Sequence, residues 1–407
     1  MTVSIKFSGK GRPGDLLDPA NWVGGVVPGP DSSALITTNV GGPVGGTFSI
    51  NNLMLLGAES IAFTGTLDTA GVGDCQGLMI CEGATATFAP GAILNDGGVM
   101  IVGNDAVGAM VAQGSGTAHS LINTVNANIG KQDGGVGSVT ISNAIWTNSG
   151  HAVIGDDGTG TLNVVNHGIV TFGAGVDMAD DTGSHGTMNI AGGGSVTVGT
   201  GLCVGGDAPD PFGTASVSVG AGSGLTVDKT LEVGTGSTVG IAGGTVTGGA
   251  VADCIKIDAG GVISGFGVLA TRTGGPIVDD GTIIASGGTL AVTGNVSGTG
   301  ALRIAANSAA SITGNLGLSG IAFIGRDATL ALAAGDKVTS TISGFAIGDV
   351  IAMANVDAVS FNAATGVLML VDHGAKVGSL NFAGSFTGDT FAVSQSAAGA
   401  LISLQHG

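Results

Sequence analysis

The sequence predicts an all-β fold: a parallel β-helix, or solenoid, in which short strands and turns recur about every 25 residues. Three observations carry this expectation. Glycine supplies 80 of 407 residues with no G-X-Y period, two sequence markers recur in step over six units, and the repeated region has no apolar period of helical length.

The composition sets the limits. Glycine is well above its usual ~7% while proline is scarce, which excludes collagen. An apolar content of 43% and a mean hydropathy of +0.51 exclude a disordered chain. Charge is sparse at 10% and lopsided, with a net charge of −18. Between residues 13 and 255 the only cations are Lys131 and Lys229, so no phosphate-tracking surface is expected there. Nucleic acid and anionic membrane are therefore excluded as expected partners. The acids are nearly all Asp, with Glu59, Glu82 and Glu232 the only glutamates, which places the negative charge in turns rather than helices.

The chain divides into three expected parts. Residues 1–45 contain "DPANWVGGVVPGPDSSALI", where Trp22 with Pro19, Pro28 and Pro30 suits a cap over the first coil of a solenoid. Residues 46–336 form the solenoid. Its clearest marker is an apolar-apolar-glycine step at Gly103, Gly130, Gly155, Gly205 and Gly234, with Ala179 in the glycine place once, at steps of 27, 25, 24, 26 and 29 residues. The second marker opens "GTAHSL" at Gly116, "GSVTIS" at Gly137, "GTLNVV" at Gly160, "GTMNIA" at Gly186 and "GTASVS" at Gly213, with a weaker "GSTVGI" at Gly236. Within a unit the runs are short, alternating and β-branched, so about 25 residues hold three strands and three turns, each coil bonding to the next at ~4.8 Å. Residues 337–407 concentrate Phe345, Phe361, Phe382, Phe386 and Phe391 in a more aromatic C-terminal β module.

Cys75, Cys81, Cys203 and Cys254 have no zinc spacing; Cys75 and Cys81 are either a bridge between adjacent strands or free buried thiols. The N-terminal "MTVSIKFSGKGRPGD" lacks the apolar core of a cleavable secretory signal, and no apolar run approaches the ~18 residues of a membrane-spanning helix. Export is expected through a C-terminal signal or a separate leader.

The stretches "NWVGGVVPGPDSSALI", "FSINNLMLLG", the "IG-x-D…GTLNV" units and "GTIIASGGTLAVTGNVSGTGALRI" resemble the β-strand-repeat surface proteins of Gram-negative bacteria. That group includes autotransporter passenger domains and filamentous-haemagglutinin-like adhesins. The closing "ISGFAIGDVIAMANV" region looks like a terminal β module of exported members. The resemblance implies a right-handed parallel β-helix, secreted or on the cell surface, used for adhesion, matrix formation or self-association. One departure is that the C-terminus has no tyrosine and no run of barrel strands, so an outer-membrane barrel is not expected.

Candidate chemistry centres on Asp105, Asp133, Asp156, Asp157, Asp180, Asp181 and Asp207, each just after the glycine step. Stacked turns would align these carboxylates ~4.8 Å apart, where like charges repel unless bridged, and Ca²⁺ is the cation an oxygen-only site would take. The alternative is that Asp only satisfies turn amides. His151, His167 and His185 fall at spacings of 16 and 18, out of phase with the coil, so a stacked metal ladder is not expected and they read as isolated exposed side chains. A lyase lacks an Arg between 100 and 250, and a glycosidase lacks a carboxylate pair on one face and aromatic platforms beyond Trp146, Phe172 and Phe212. A non-enzymatic structural protein or adhesin is therefore expected, with a second copy of itself as the first partner and a surface glycan or matrix as the second. A polysaccharide-acting enzyme and a carbohydrate-binding β-helix are the alternatives. Assembly is expected through strand edges or stacked ends, with flat strand faces available laterally.

Overall fold

A computed structural model describes residues 4–57, 59–72, 77–205, 213–249, 254–396 and 399–407. Those residues form 41 β-strands and two short 3-10 helices. Among the described residues no helix is long and apolar enough to cross a membrane. The chain is a β-solenoid of about 12 turns with ~24 residues per turn, close to the period read from the glycine steps. It falls into two compact units, Met1–Asp228 and Lys229–Gly407.

In the first unit each coil contributes to three parallel ladders. One stacks Ala84–Phe88, Val107–Gln113, Val136–Ser142, Thr159–Val165, His185–Ile190 and Thr214–Gly220. A second runs through Ile145–Asn148, Ile169–Phe172, Ser195–Val198 and Gly224–Val227. The third runs through Ala152–Ile154, Val176–Met178 and Leu202–Val204. Alternation sends every second residue inward. Met110, Val139, Leu162, Met188 and Val217 therefore lie over one another in a buried column. Each such side chain contributes roughly 1.5–3 kcal/mol by leaving water. Outward, the first ladder stacks Ser138, Thr161, Thr187 and Ser216 beside Thr140, Asn163, Asn189 and Ser218.

Stacking begins inside the segment expected to be a cap. Ser4–Lys6 pairs in parallel with Ser33–Ile36, which pairs with Asn52–Leu56. Trp22 is buried there, stacked on Phe48 at 6.0 Å and edge-on to Phe7 at 5.3 Å, with its Nε1 donating to the Leu16 carbonyl at 2.8 Å.

The second unit winds more tightly. Leu302 lies over Ile283 and Ile321 over Leu302, at steps of 19 residues. Parallel stacking continues to Thr341–Ser343 and Val350–Met353. There the pattern changes: Gly399–His406 lies antiparallel on Val350–Met353 and carries Asp389–Ser396 on its other side. Phe361, Phe382, Phe386 and Phe391 pack together nearby with ring centroids 4.7–6.5 Å apart.

Register refines the two markers. Most of the glycine step is a true column: Gly103, Gly130, Gly155 and Gly205 all have positive φ, and Ala179 takes the same conformation at φ 57°, whereas Gly234 does not share it. The second column is Gly108, Gly137, Gly160, Gly186 and Ala215; Gly116 and Gly213 lie outside it. Those two glycines share the motif's look but not its phase.

An L-residue in the left-handed region costs roughly 1–2 kcal/mol, partly offset in a glycine variant by chain entropy. Ala179→Gly is therefore expected to stabilise the protein by about 0.5–1 kcal/mol. Gly155→Ala should destabilise it by more, because its Cβ would meet the His185 carbonyl oxygen, 2.3 Å away, at φ 76°. Thermal or urea unfolding of the two variants checks this, and shifts of the same sign would contradict it.

Candidate functional site

The acidic turn follows the third ladder of the first unit. Backbone hydrogen bonds carry the stacking past the strands: Lys131 N donates to Gly103 O, Asp156 N to Gly130 O and Asp180 N to Gly155 O. The next residues repeat the pattern, with Gln132 N on Asn104 O, Asp157 N on Lys131 O and Asp181 N on Asp156 O. One column is thus Asn104, Lys131, Asp156, Asp180, and the next is Asp105, Gln132, Asp157, Asp181.

This corrects the phase read from the sequence. Asp133 is one residue beyond the rung that Gln132 occupies, in an exposed turn closed by Gly135 N on Gln132 O. Gly130 to Gly137 spans 7 residues where the stacked Gly103 to Gly108 spans 5, and the surplus goes into that turn. Asp207 and Cys75 lie outside the described residues. Asp105 is held from one side: Cys81 Sγ donates to its Oδ1 at 3.0 Å.

Like charges do meet where the columns coincide. The Asp180 carboxyl is pushed above the ordinary carboxylate range, first by burial, then by the charges of Asp177, Asp156 and Asp181, against a lowering effect of His151. His151 Nε2 lies 2.8 Å from Asp177 Oδ2, so this histidine is paired rather than isolated. His185 contacts Thr214 Oγ1 at 3.0 Å and His167 occupies an exposed turn at φ 62°. Asn128 Nδ2 donates to Asp156 Oδ2 at 2.7 Å. The donor set is oxygen-rich and suits a hard cation. Among the described residues, however, no three carboxylates of this turn bring oxygens within 4.8 Å of one another.

The one group that meets this spacing is Asp357, Asp372 and His373 in the second unit. His373 and Gly374, at φ 50° and 81°, form the two-residue turn between Val367–Asp372 and Ala375–Phe382. Asp357 Oδ2 accepts from the His373 backbone N–H at 2.8 Å, and His373 Nδ1 lies 2.9 Å from Asp372 Oδ1. These contacts close the hairpin. Asp372 also borders a cavity of about 490 Å³ lined by Asp336, Lys337, Met353, Leu370 and Leu380.

Sequence reading missed a polar column inside the first unit. Thr69, Asp96, Thr124 and Asn148 stack in register at an inward position, followed by Phe172. Trp146 Nε1 donates to Thr124 Oγ1 at 2.9 Å, and that hydroxyl donates to Asn148 Oδ1 at 2.7 Å. Asp96 accepts from Leu78 N at 3.1 Å and Gly98 N at 2.8 Å, joining two coils. Burial nevertheless raises its pKa, the amide bonds acting in the opposite direction. Trp146 and Phe172 are fully buried in this core, so neither offers a sugar platform; Phe212 lies outside the described residues. The alternating pattern "IWTN" and "ILND" is the sole signal that could have found this column, since it puts Asn148 and Asp96 in phase with Trp146 and Leu94.

The same clamp recurs in the second unit. Asp349, 0% exposed, accepts from Ala328 N and Ala346 N at 3.0 and 2.9 Å. Asp336 accepts from Gly314 N and Ala333 N at 3.1 and 2.8 Å. Asp279 departs from the pattern. It continues the inward column of Val233 and Ile257, is 0% exposed, and receives only Gly281 N at 3.0 Å on Oδ1, while Oδ2 has no partner. Its neighbour Asp280 points the other way and accepts from both N and Oγ1 of Thr299. Burial, with the Asp280 charge adding to it, pushes Asp279 up to about 7.

Raising a folded-state pKa above the ordinary 3.8 means that the fold holds a proton which the unfolded chain releases. That contribution is complete below about 3.8, declines as pH rises, and is gone above about 7. The Asp279→Asn variant, neutral at every pH, should therefore gain stability relative to the parent across this window, by on the order of a few kcal/mol above pH 7. Melting curves of both proteins from pH 4 to pH 8.5 check it; a stability difference independent of pH contradicts it.

Compared with known proteins, the chain matches no family model, no curated protein and no solved structure. What the coordinates establish is a β-helix repeat architecture with an acidic turn column and buried carboxylate clamps.

Proposed function

We propose that this chain is a non-enzymatic structural protein of the bacterial cell surface or extracellular space, related in kind to β-strand-repeat adhesins, which associates with copies of itself. The observation that carries this reading is the distribution of charge on the first unit. The net charge of −18 is borne largely by turn residues, whereas the strands of the first ladder contain no Asp, Glu, Lys or Arg. Such a solenoid repels most partners through its turns and offers flat, neutral faces between them.

Two further features agree with a scaffold. The buried position of Trp146 and Phe172 keeps these two rings from stacking on a sugar. The buried acids Asp96 and Asp349, and the half-buried Asp336, are engaged by backbone amides of neighbouring coils, which is structural work.

Negative-stain microscopy and sedimentation of the purified full chain, with and without EDTA, test the reading. Elongated or lateral assemblies that grow with concentration are expected. Assemblies that disperse on chelation would place calcium in the acidic turns, whereas strictly monomeric particles at high concentration, or turnover of a polysaccharide, would overturn the proposal.

A further inference from the structure

The first ladder of the first unit differs from the other two. Its strands Val107–Gln113, Val136–Ser142, Thr159–Val165 and Thr214–Gly220 are 7 residues long, against 4 in the second ladder from Ile145 onward and 3 in the third from Ala152 onward. The third also carries Asp177 outward, paired with His151. The first is therefore the widest face and, among its strands, free of Asp, Glu, Lys and Arg.

Its side chains are also held in place. Asn189 Nδ2 donates to Asn163 Oδ1 at 2.9 Å, and Asn163 Nδ2 reaches Thr140 Oγ1 at 3.5 Å. Side chains already ordered before contact lose less entropy on binding. At one margin Val107 is 55% and Val136 42% exposed, adding apolar surface that a partner would cover.

We infer that this face is the lateral interface through which two copies of the chain pack sheet on sheet. The inference rests on the self-association reading above and adds the surface that performs it. Charge selects the occupant: two copies that each carry −18 repel wherever turns approach turns, and this ladder is the broad surface where neither presents Asp, Glu, Lys or Arg. Size permits it. Six strands at ~4.8 Å, of 5 to 7 residues at ~3.3 Å each, give roughly 600 Å² per partner and about 1,200 Å² in total, at the lower end of the range of stable interfaces. A twofold arrangement makes the surface self-complementary, with Thr, Ser and Asn of one sheet meeting the same types on the other.

The acids lie at the margins, so salt should strengthen this association by screening, the reverse of an interface built on ion pairs. Sedimentation velocity of the full chain, from low salt to about 1 M NaCl, reads both effects. The parent should associate more strongly as salt rises. Thr161→Lys with Thr187→Lys, at the centre of the face, should weaken association at least about tenfold by opposing like charges. Thr171→Lys with Thr197→Lys, outward on the second ladder, should leave it near the parent's level. Asn163→Lys with Asn189→Lys serves as a second central pair if the first fails to reach the parent's melting temperature. Association that survives both central pairs, or that is lost equally in the second-ladder pair, overturns the choice of face while self-association stands. A parent that stays monomeric at every salt concentration overturns both.

Discussion

The backbone hydrogen bond between one coil and the next is the constraint from which the rest of this structure follows. At ~4.8 Å per coil it forces each residue to sit over its counterpart, so every property of a position becomes a property of a column. Columns of Val, Leu, Ile and Met make the core of each unit with no α-helix among the described residues. The same constraint turns an isolated Asp into a potential stack of like charges and a lone outward Thr into part of a flat face. Favourable and unfavourable effects are both multiplied along the axis.

The molecule handles the unfavourable ones locally. In the acidic turn, Lys131 and Gln132 occupy the rungs that precede Asp156 and Asp157, so among the described residues the acidic overlap is confined to the Asp156–Asp180 and Asp157–Asp181 pairs. In the interior, buried carboxylates are tolerated because they bridge coils: Asp96 and Asp349 each accept amides from two different turns. Removing one partner from such an arrangement leaves a desolvated group, which costs more than the bond contributes. Asp279 is the exception, with one carboxylate oxygen unpartnered, and its elevated pKa is the physical consequence.

Much of this was legible in the sequence because the period is short and repeated. The glycine step marks left-handed backbone in phase, and even the substitute Ala179 was identifiable because the steps on either side of it, 24 and 26 residues, keep the period. Phase was harder where chain was inserted. Asp133, Gly116 and Gly213 carry the right residue types but sit off the column, because a longer turn absorbs residues without moving the strands. The interior polar column was not found, since Thr69, Thr124 and Asn148 look like ordinary turn or surface residues until inward phase is assigned from their neighbours. In the sequence Asp279 is only half of an adjacent acid pair; the alternation that sends Asp280 outward is what buries it.

The proposed function turns on which columns face outward. In the first unit, neutral Thr, Ser and Asn ladders form the broad face while the Asp156–Asp180 and Asp157–Asp181 pairs lie in the turns. All of it depends on register, and register can be measured by cross-linking. Cysteines at Thr161 and Thr187, which the structure stacks, fall within the ~4.4–6.8 Å Cα spacing a disulfide needs, whereas Thr161 with Asn189 is diagonal at roughly 7–8 Å. Peptide mapping after mild oxidation should find the first pair bridged and the second reduced. Efficient bridging of the diagonal pair, or none in the stacked pair, would contradict the parallel in-register solenoid.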